Sequence, residues 1–219
     1  MHVDLDFLTD ERIYNRLMRE EIPSARQSLF IATALVKQTQ VEIRKGEFGP
    51  FIQLVDDLLR RHVSVSILLA GKPSKGFLDS IAKFPRVAAG LQFRLCARNH
   101  MKIVLIDNTR LYLGSANLTG AGMGRKGSDR RNFEFGLYTT DARLIRKVSE
   151  KAEAVWVKSP CASCQSTRLC AFEHHRTRTA LDAAGTRLAL WDPQRDWPRE
   201  LAGFSPDELG RKRRPTLDG

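Results

Sequence analysis

The chain has no apolar run long enough to span a bilayer. Its longest stretches, Leu29 to Val36 and Val63 to Ala70, fall well short of the roughly 20 residues a membrane helix needs. The opening residues, Met1-His2-Val3-Asp4-Leu5-Asp6-Phe7, carry acids where a secretory leader carries bases, and no apolar core follows them. A soluble, cytoplasmic protein is expected. Acidic residues are also scarce: 25 Asp and Glu face 36 Lys and Arg, for a net charge of +11. That imbalance favours a polyanionic partner, nucleic acid or an anionic lipid surface. Cysteines are few: Cys96, Cys161, Cys164 and Cys170. Three of them clustered in a protein read as intracellular point to metal ligation rather than disulfides. No internal repeat occurs, and His-x-Lys appears once.

A chain of 219 residues with an ordinary apolar fraction suits one domain plus an appendage. Helical spacing covers Asp10 to Arg26, Phe51 to Leu59 with a basic end at Arg60-Arg61-His62, and Ser74 to Phe84 with Ser74 as cap. Strands are expected at Ser28 to Val36, Val63 to Ala70, Leu91 to Ala97, His100 to Ile106, Arg110 to Ser115 and Asn132 to Thr139. Gly46 to Pro50 reads as a break, and Asp141 as the cap of a helix reaching about Val157. Strands alternating with helices, then a hairpin, predict an α/β sandwich on a mixed sheet. Composition shifts near Ser159-Pro160. The expected division is a catalytic domain over 1–158 and a small Cys/His-rich, basic extension over 159–219. Lys212-Arg213-Arg214-Pro215 in the tail reads as a solvated terminus.

The informative segment is His100-Met101-Lys102-Ile103-Val104-Leu105-Ile106-Asp107, continuing through Gly114-Ser115-Ala116-Asn117. Side chains alternate faces along a strand, so His100 and Lys102 aim at the same space. Asp107 falls on the other face, where its expected work is to bond backbone N–H groups at the turn. The returning strand brings Ser115 and Asn117 back towards His100. Gly114 there lets backbone approach a ligand closely. A neutral imidazole attacks phosphorus, an ammonium neutralises phosphoryl charge, and a carboxamide donates to a phosphoryl oxygen. The imidazole's other nitrogen needs an acceptor. Glu134, between Phe133 and Phe135, needs a partner and is matched with His100. In-line displacement needs a nucleophile and a leaving-group acid on opposite sides of phosphorus. One histidine cannot fill both places, so a two-fold axis through the phosphate, that is a homodimer, is expected.

This spacing, His-x-Lys-x4-Asp-x6-Gly-Ser-x-Asn, resembles the motif of the phospholipase D superfamily at every defined position. The resemblance covers about residues 10 to 157 and implies a phospholipase D-like α/β/α sandwich. It implies a phosphohistidine intermediate formed without a catalytic metal. Members with two motifs build one site from both, whereas single-motif members, such as small bacterial Nuc-type endonucleases, build it across a homodimer. By that likeness His100 of one subunit attacks and His100 of the other protonates the leaving oxygen. Lys102 and Asn117 from both copies clamp the phosphate, and Glu134 matches the acid that orients a histidine.

The superfamily includes lipases, lipid synthases and nucleases. The charge, and a loop carrying Arg125, Lys126, Arg130 and Arg131, favour DNA or RNA as the substrate. A lipid phosphodiesterase and a nucleic-acid-binding module with weak catalysis are the alternatives. Proteins of this general look occur in bacterial phage-defence and DNA-modification clusters, so partners from such a system are a further expectation. Cys161-x2-Cys164-x5-Cys170-x3-His174 offers a structural Cys3His zinc set. The alternative fourth ligand is Cys96, a spacing that resembles the [4Fe–4S] staple of some iron–sulfur nucleases.

Overall fold

A computed structural model of the protein describes residues 4–164. Strand β1 (Leu5–Thr9) leads into α1 (Glu11–Tyr14), which continues in wider π-type turns over Asn15–Glu21. Then come β2 (Ser28–Thr33), a hairpin of β3 (Gln40–Arg44) and β4 (Glu47–Pro50), α2 (Phe51–Arg60) and β5 (Ser64–Leu69). They are followed by α3 (Lys75–Ala82), α4 (Pro85–Gly90), β6 (Gln92–Leu95), β7 (Ile103–Ile106) and β8 (Arg110–Gly114). The last elements are β9 (Phe135–Thr139), α5 (Ala142–Trp156) and a 3-10 turn over Ser159–Ser163.

Seven strands form one sheet in the order β1-β9-β8-β7-β2-β5-β6. β2, β5 and β6 run parallel, and the remaining pairs are antiparallel. The sheet is mixed, as expected, and both its faces are covered. Val104 and Ile106 of β7 join a core with Leu29, Ile31, Ile67, Phe51, Leu58 and Phe77. Ile103 and Leu105 join a second core with Ala32, Leu68, Leu111 and, from α5, Ile145 and Ala152. Alternate residues of one strand thus enter different cores, as a period of two requires. The result is an α/β/α sandwich.

Local chemistry explains the elements around the site. α2 buries Phe51, Ile52, Leu54, Val55 and Leu58, the stripe of an amphipathic helix. It ends where His62 turns left-handed (φ 62°) and the N–H of Val63 reaches back to Leu58 O at 3.0 Å. Ser74 Oγ accepts from Phe77 N (3.3 Å) at the start of α3. Asp141 accepts from Arg143 N (3.1 Å) and Leu144 N (2.8 Å) at the start of α5.

Three parts differ from the sequence reading. β1 lies where no strand is expected, because it is an edge strand whose one buried residue is Leu8. Gly46 (φ 79°) is the tip of the β3–β4 hairpin rather than a simple break. β7 starts at Ile103, so His100 and Lys102 stand in the segment entering the strand, not on it.

Candidate active site

Four strand ends meet at one end of the sheet. Ala32 pairs with Ile103, Ile103 with Leu113, and Gly114 with Gly136. The end of β2, the start of β7, the end of β8 and the start of β9 therefore converge. Asn99, 4% exposed, fixes the approach to β7. Its Nδ2 donates to Thr33 O (3.1 Å) and Leu68 O (3.0 Å), joining the ends of two parallel strands. Its Oδ1 accepts from Met101 N at 3.2 Å. The next residue, His100, is solvent-exposed.

Lys102 Nζ lies 3.1 Å from His100 Nε2 and donates to His100 O at 3.0 Å. An ammonium only donates, so Nε2 must carry the lone pair and the proton belongs on Nδ1. A phosphorus whose anionic oxygen is drawn to Nζ then stands beside the lone pair of Nε2. Partial burial lowers the Lys102 pKa, and the charge of Glu134 opposes that shift. The carbonyl of Lys102 accepts from Gly114 N at 3.0 Å, so the lysine stays in register with β8.

Asn117 is oriented from behind. Its Oδ1 accepts from Leu35 N and Thr33 Oγ1, both at 3.2 Å. A backbone N–H only donates, so this contact fixes which end of the amide is oxygen. Nδ2 is the end able to meet a phosphoryl oxygen. Thr33 Oγ1 also accepts from Leu118 N at 3.1 Å.

Glu134 corrects the expectation. Within one chain its carboxylate does not bond His100. It accepts instead from Ser115 Oγ and from Asn132 Nδ2 (3.0 Å). Its flanking aromatics are not apolar burial either: Phe133 is 95% exposed and Phe135 60%. What fixes Glu134 is the end of β1. Asp10 N donates to Glu134 O and Glu134 N donates to Asp10 Oδ1, both at 3.0 Å. Asp10 holds φ 47°, a region that costs energy for a non-glycine residue. Ser115 also takes a donor from Phe135 N at 3.1 Å, which ties β8 to the start of β9.

Two further assignments shift. A Cβ at Gly114 would lie 2.5 Å from Tyr112 Oη and 2.6 Å from Phe135 O. The space that glycine leaves is filled by the protein itself, not by an approaching ligand. Asp107 sits at the far end of β7 with φ 54°. Its carboxylate accepts from Arg26 N (3.1 Å), Gln27 N (2.7 Å) and Ser28 N (3.0 Å), and pairs with Arg110 at 2.8 Å. These backbone groups belong to the entry of β2 rather than to its own turn. Burial pushes the Asp107 pKa up, but the bonds from Ser28, Gln27, Arg26 and Arg110 outweigh it and the net shift is downward.

The side chains gathered at this sheet end are a histidine, a lysine, an oriented carboxamide and a bonded Ser–Glu pair. Residues 18–156 match the family described as "Cardiolipin synthase, PLD-like domain". The chain belongs to the phospholipase D superfamily. A curated superfamily relative, cardiolipin synthase A of Pseudomonas fluorescens, is 34% identical over 134 residues. That match covers 59% of this chain but 25% of the relative, so the chain spans a quarter of that protein's length. Among solved structures, the phospholipase D family member Nuc of Salmonella typhimurium aligns with TM-score 0.52 and 20% identity, over 71% of this chain and 95% of that one. NucT of Helicobacter pylori aligns with TM-score 0.50 and 18% identity, over 69% and 94%. These likenesses establish the phospholipase D fold.

On this scaffold the basic loop is less available than the sequence implies. Arg125 is half-buried, its guanidinium 4.5 Å from the centre of the Phe48 ring and 5.9 Å from that of Tyr14. Arg131 pairs with Glu11. Lys126 and Arg130 are the exposed pair, with Arg130 3.5 Å from Asp129. No helix among the described residues is long and apolar enough to cross a membrane. Cys170 and His174 lie outside the described residues. Cys96, Cys161 and Cys164 line one cavity of about 210 Å³, together with Arg98, Asn99 and His100. Among the described residues no three His, Cys, Asp or Glu side chains stand close enough together to hold a metal ion.

Sequence reasoning missed Asn99, Thr33 and Asp10. Thr33 carried a signal, since a hydroxyl in an otherwise apolar buried strand must find a partner. Asn99 and Asp10 carried none, because their bonds depend on segments distant in sequence.

Proposed function

We propose that the protein is a nuclease cleaving phosphodiesters of DNA or RNA through a phosphohistidine, with a site shared by two copies of the chain. The observation that carries this reading is the exposed His100 imidazole with Lys102 Nζ 3.1 Å from Nε2. In the proposed reaction Nε2 attacks phosphorus and the bond to the leaving oxygen breaks. His100 of the second copy gives that oxygen its proton. The same imidazole then takes a proton from water, whose oxygen displaces the first histidine from phosphorus. Lys102 and Asn117 hold the non-bridging oxygens. Glu134 and Ser115 support the lysine's charge and the end of β8. The net charge of +11 and the exposed Lys126 and Arg130 support a nucleic-acid substrate.

The second reading is a lipid phosphodiester, favoured by the 34% identity to a cardiolipin synthase. A panel of single- and double-stranded DNA, RNA and anionic phospholipid, assayed in EDTA, separates the two. Nucleic acid is expected to be cut and lipid left intact. His100→Ala is expected to abolish cleavage while nucleic-acid binding persists. Cleavage of lipid alone establishes the second reading, and undiminished cleavage by His100→Ala sinks the histidine mechanism.

A further inference from the structure

Among the described residues the exposed large apolar side chains are Leu5, Phe7, Phe48, Phe133, Phe135 and Val157. Four of these six, Leu5, Phe7, Phe133 and Phe135, gather at one corner of the sheet. The pairings Leu5↔Thr139, Phe7↔Leu137 and Thr9↔Phe135 put Leu5, Phe7, Phe135 and Leu137 on one face. Leu113, paired with Leu137, extends that face to β8. The Phe7 and Phe135 rings stack, with centres 6.4 Å apart and planes within 26°. Farther in, α5 covers the same face, with Ile145 and Ala152 packed among Leu105 and Leu111. Towards the β1 edge that cover ends, leaving Leu5 47% and Phe7 54% exposed. The opposite face of β1 is closed, since Leu8 enters the main core. An apolar face left open beside a closed one, with aromatics clustered on it, marks an interaction surface.

We infer that a second copy of this chain docks on this corner and buries Phe7 and Phe135 across a two-fold interface. The inference rests on the two-copy site proposed above. In that site one His100 bonds phosphorus and the other reaches its leaving oxygen, so the two imidazoles stand within about 7 Å of each other. The axis therefore passes close to His100. Phe135 opens β9, two strands from β7, which places it about 10 Å away across the sheet at roughly 4.8 Å per strand. His100 also opens on the same side of the sheet as the patch, because it shares a cavity wall with Lys151 and Val155 of α5. Surface so near the axis, on that side, is covered when the two copies meet. The free edge of β1 offers a different dimer, in which β1 pairs with β1 of the other copy. That arrangement sets each His100 about 15 Å or more from the axis, and the pair about 30 Å apart, by the same strand spacing. It cannot build the shared site, so the face of β1 and β9 is the docking surface and the edge is not.

The test measures the mass of the full chain in solution by sedimentation, with circular dichroism as the check on folding. Wild type is expected to be a dimer, and Phe7→Asp and Phe135→Asp are each expected to halve its mass. Phe48→Asp, on the distant β3–β4 hairpin, is expected to keep the dimer. Benzoylphenylalanine in place of Phe7 covers the case in which the aspartate variants misfold: light is expected to link two chains through it. Links made only within one chain, to its own residues 165–219 for example, overturn the proposal. So does capture of added single-stranded DNA with no linked pair of chains, which would assign the aromatics to substrate. A dimer that survives both aspartate variants overturns this docking surface alone and leaves the two-copy site standing. A monomeric wild type overturns both, and DNA cleavage by that monomer would still uphold the nuclease reading.

Discussion

Thr33 supports the site with a single hydroxyl. Its proton is shared between Leu35 O (2.9 Å) and Asn117 Oδ1 (3.2 Å), and its oxygen accepts from Leu118 N. Thr33→Val keeps the shape and leaves those groups unmatched, so a loss of about 1–3 kcal/mol in denaturant unfolding is expected. Turnover is expected to fall with it, because Asn117 loses one of the two bonds that aim its amide. At Lys102 the expectation concerns pH. Burial depresses its pKa, so its ammonium is lost at a lower pH than an ordinary lysine's. The alkaline limb of the pH–rate profile is expected to lie correspondingly low. Glu134 raises that pKa, so Glu134→Gln is expected to move the limb further down. A limb that stays put in this variant removes Lys102 as the titrating group.

At the scale of elements, the β7–β8 hairpin is anchored at its turn and carries the candidate site at its open end. Asp107 joins the turn to the entry of β2 through three backbone N–H groups and Arg110. Asp107→Ala is expected to cost about 2–3 kcal/mol at neutral pH. The folded-state pKa is depressed, so this stability is fully present above the ordinary carboxylate pKa and is lost as pH falls through the lower folded value. Unfolding of wild type and variant should therefore converge in acid; a gap unchanged by pH would mean the carboxylate's charge is not what anchors the turn. The hairpin was legible because each of its strands is a short apolar run joined by an Asp-Asn turn. Apolar periodicity likewise located α2, and the caps Ser74 and Asp141 marked the starts of α3 and α5. β1 was not legible, because an edge strand with one buried side chain leaves hardly any pattern. For Glu134 the acid was readable but its partners were not. Ser115 lies within the motif, whereas Asp10 reaches it only through the pairing of β1 with β9.

At the scale of the molecule, the sheet carries one histidine, His100, at the candidate site and leaves it open to solvent. If both histidines of a pair are needed, co-expressing wild type with His100→Ala in equal amounts is expected to leave about one quarter of the activity. Independent copies would leave about one half. Activity per milligram of the mixed, fully exchanged preparation reads this directly. The bonds of Asn99 have a consequence for how such an enzyme fails. They fasten the residue before His100 to the ends of β2 and β5, in the middle of the sheet. The backbone entering His100 is therefore set by the fold itself. Unless the two copies separate first, loss of activity on heating is expected to coincide with melting of the sheet, read by residual activity against circular dichroism.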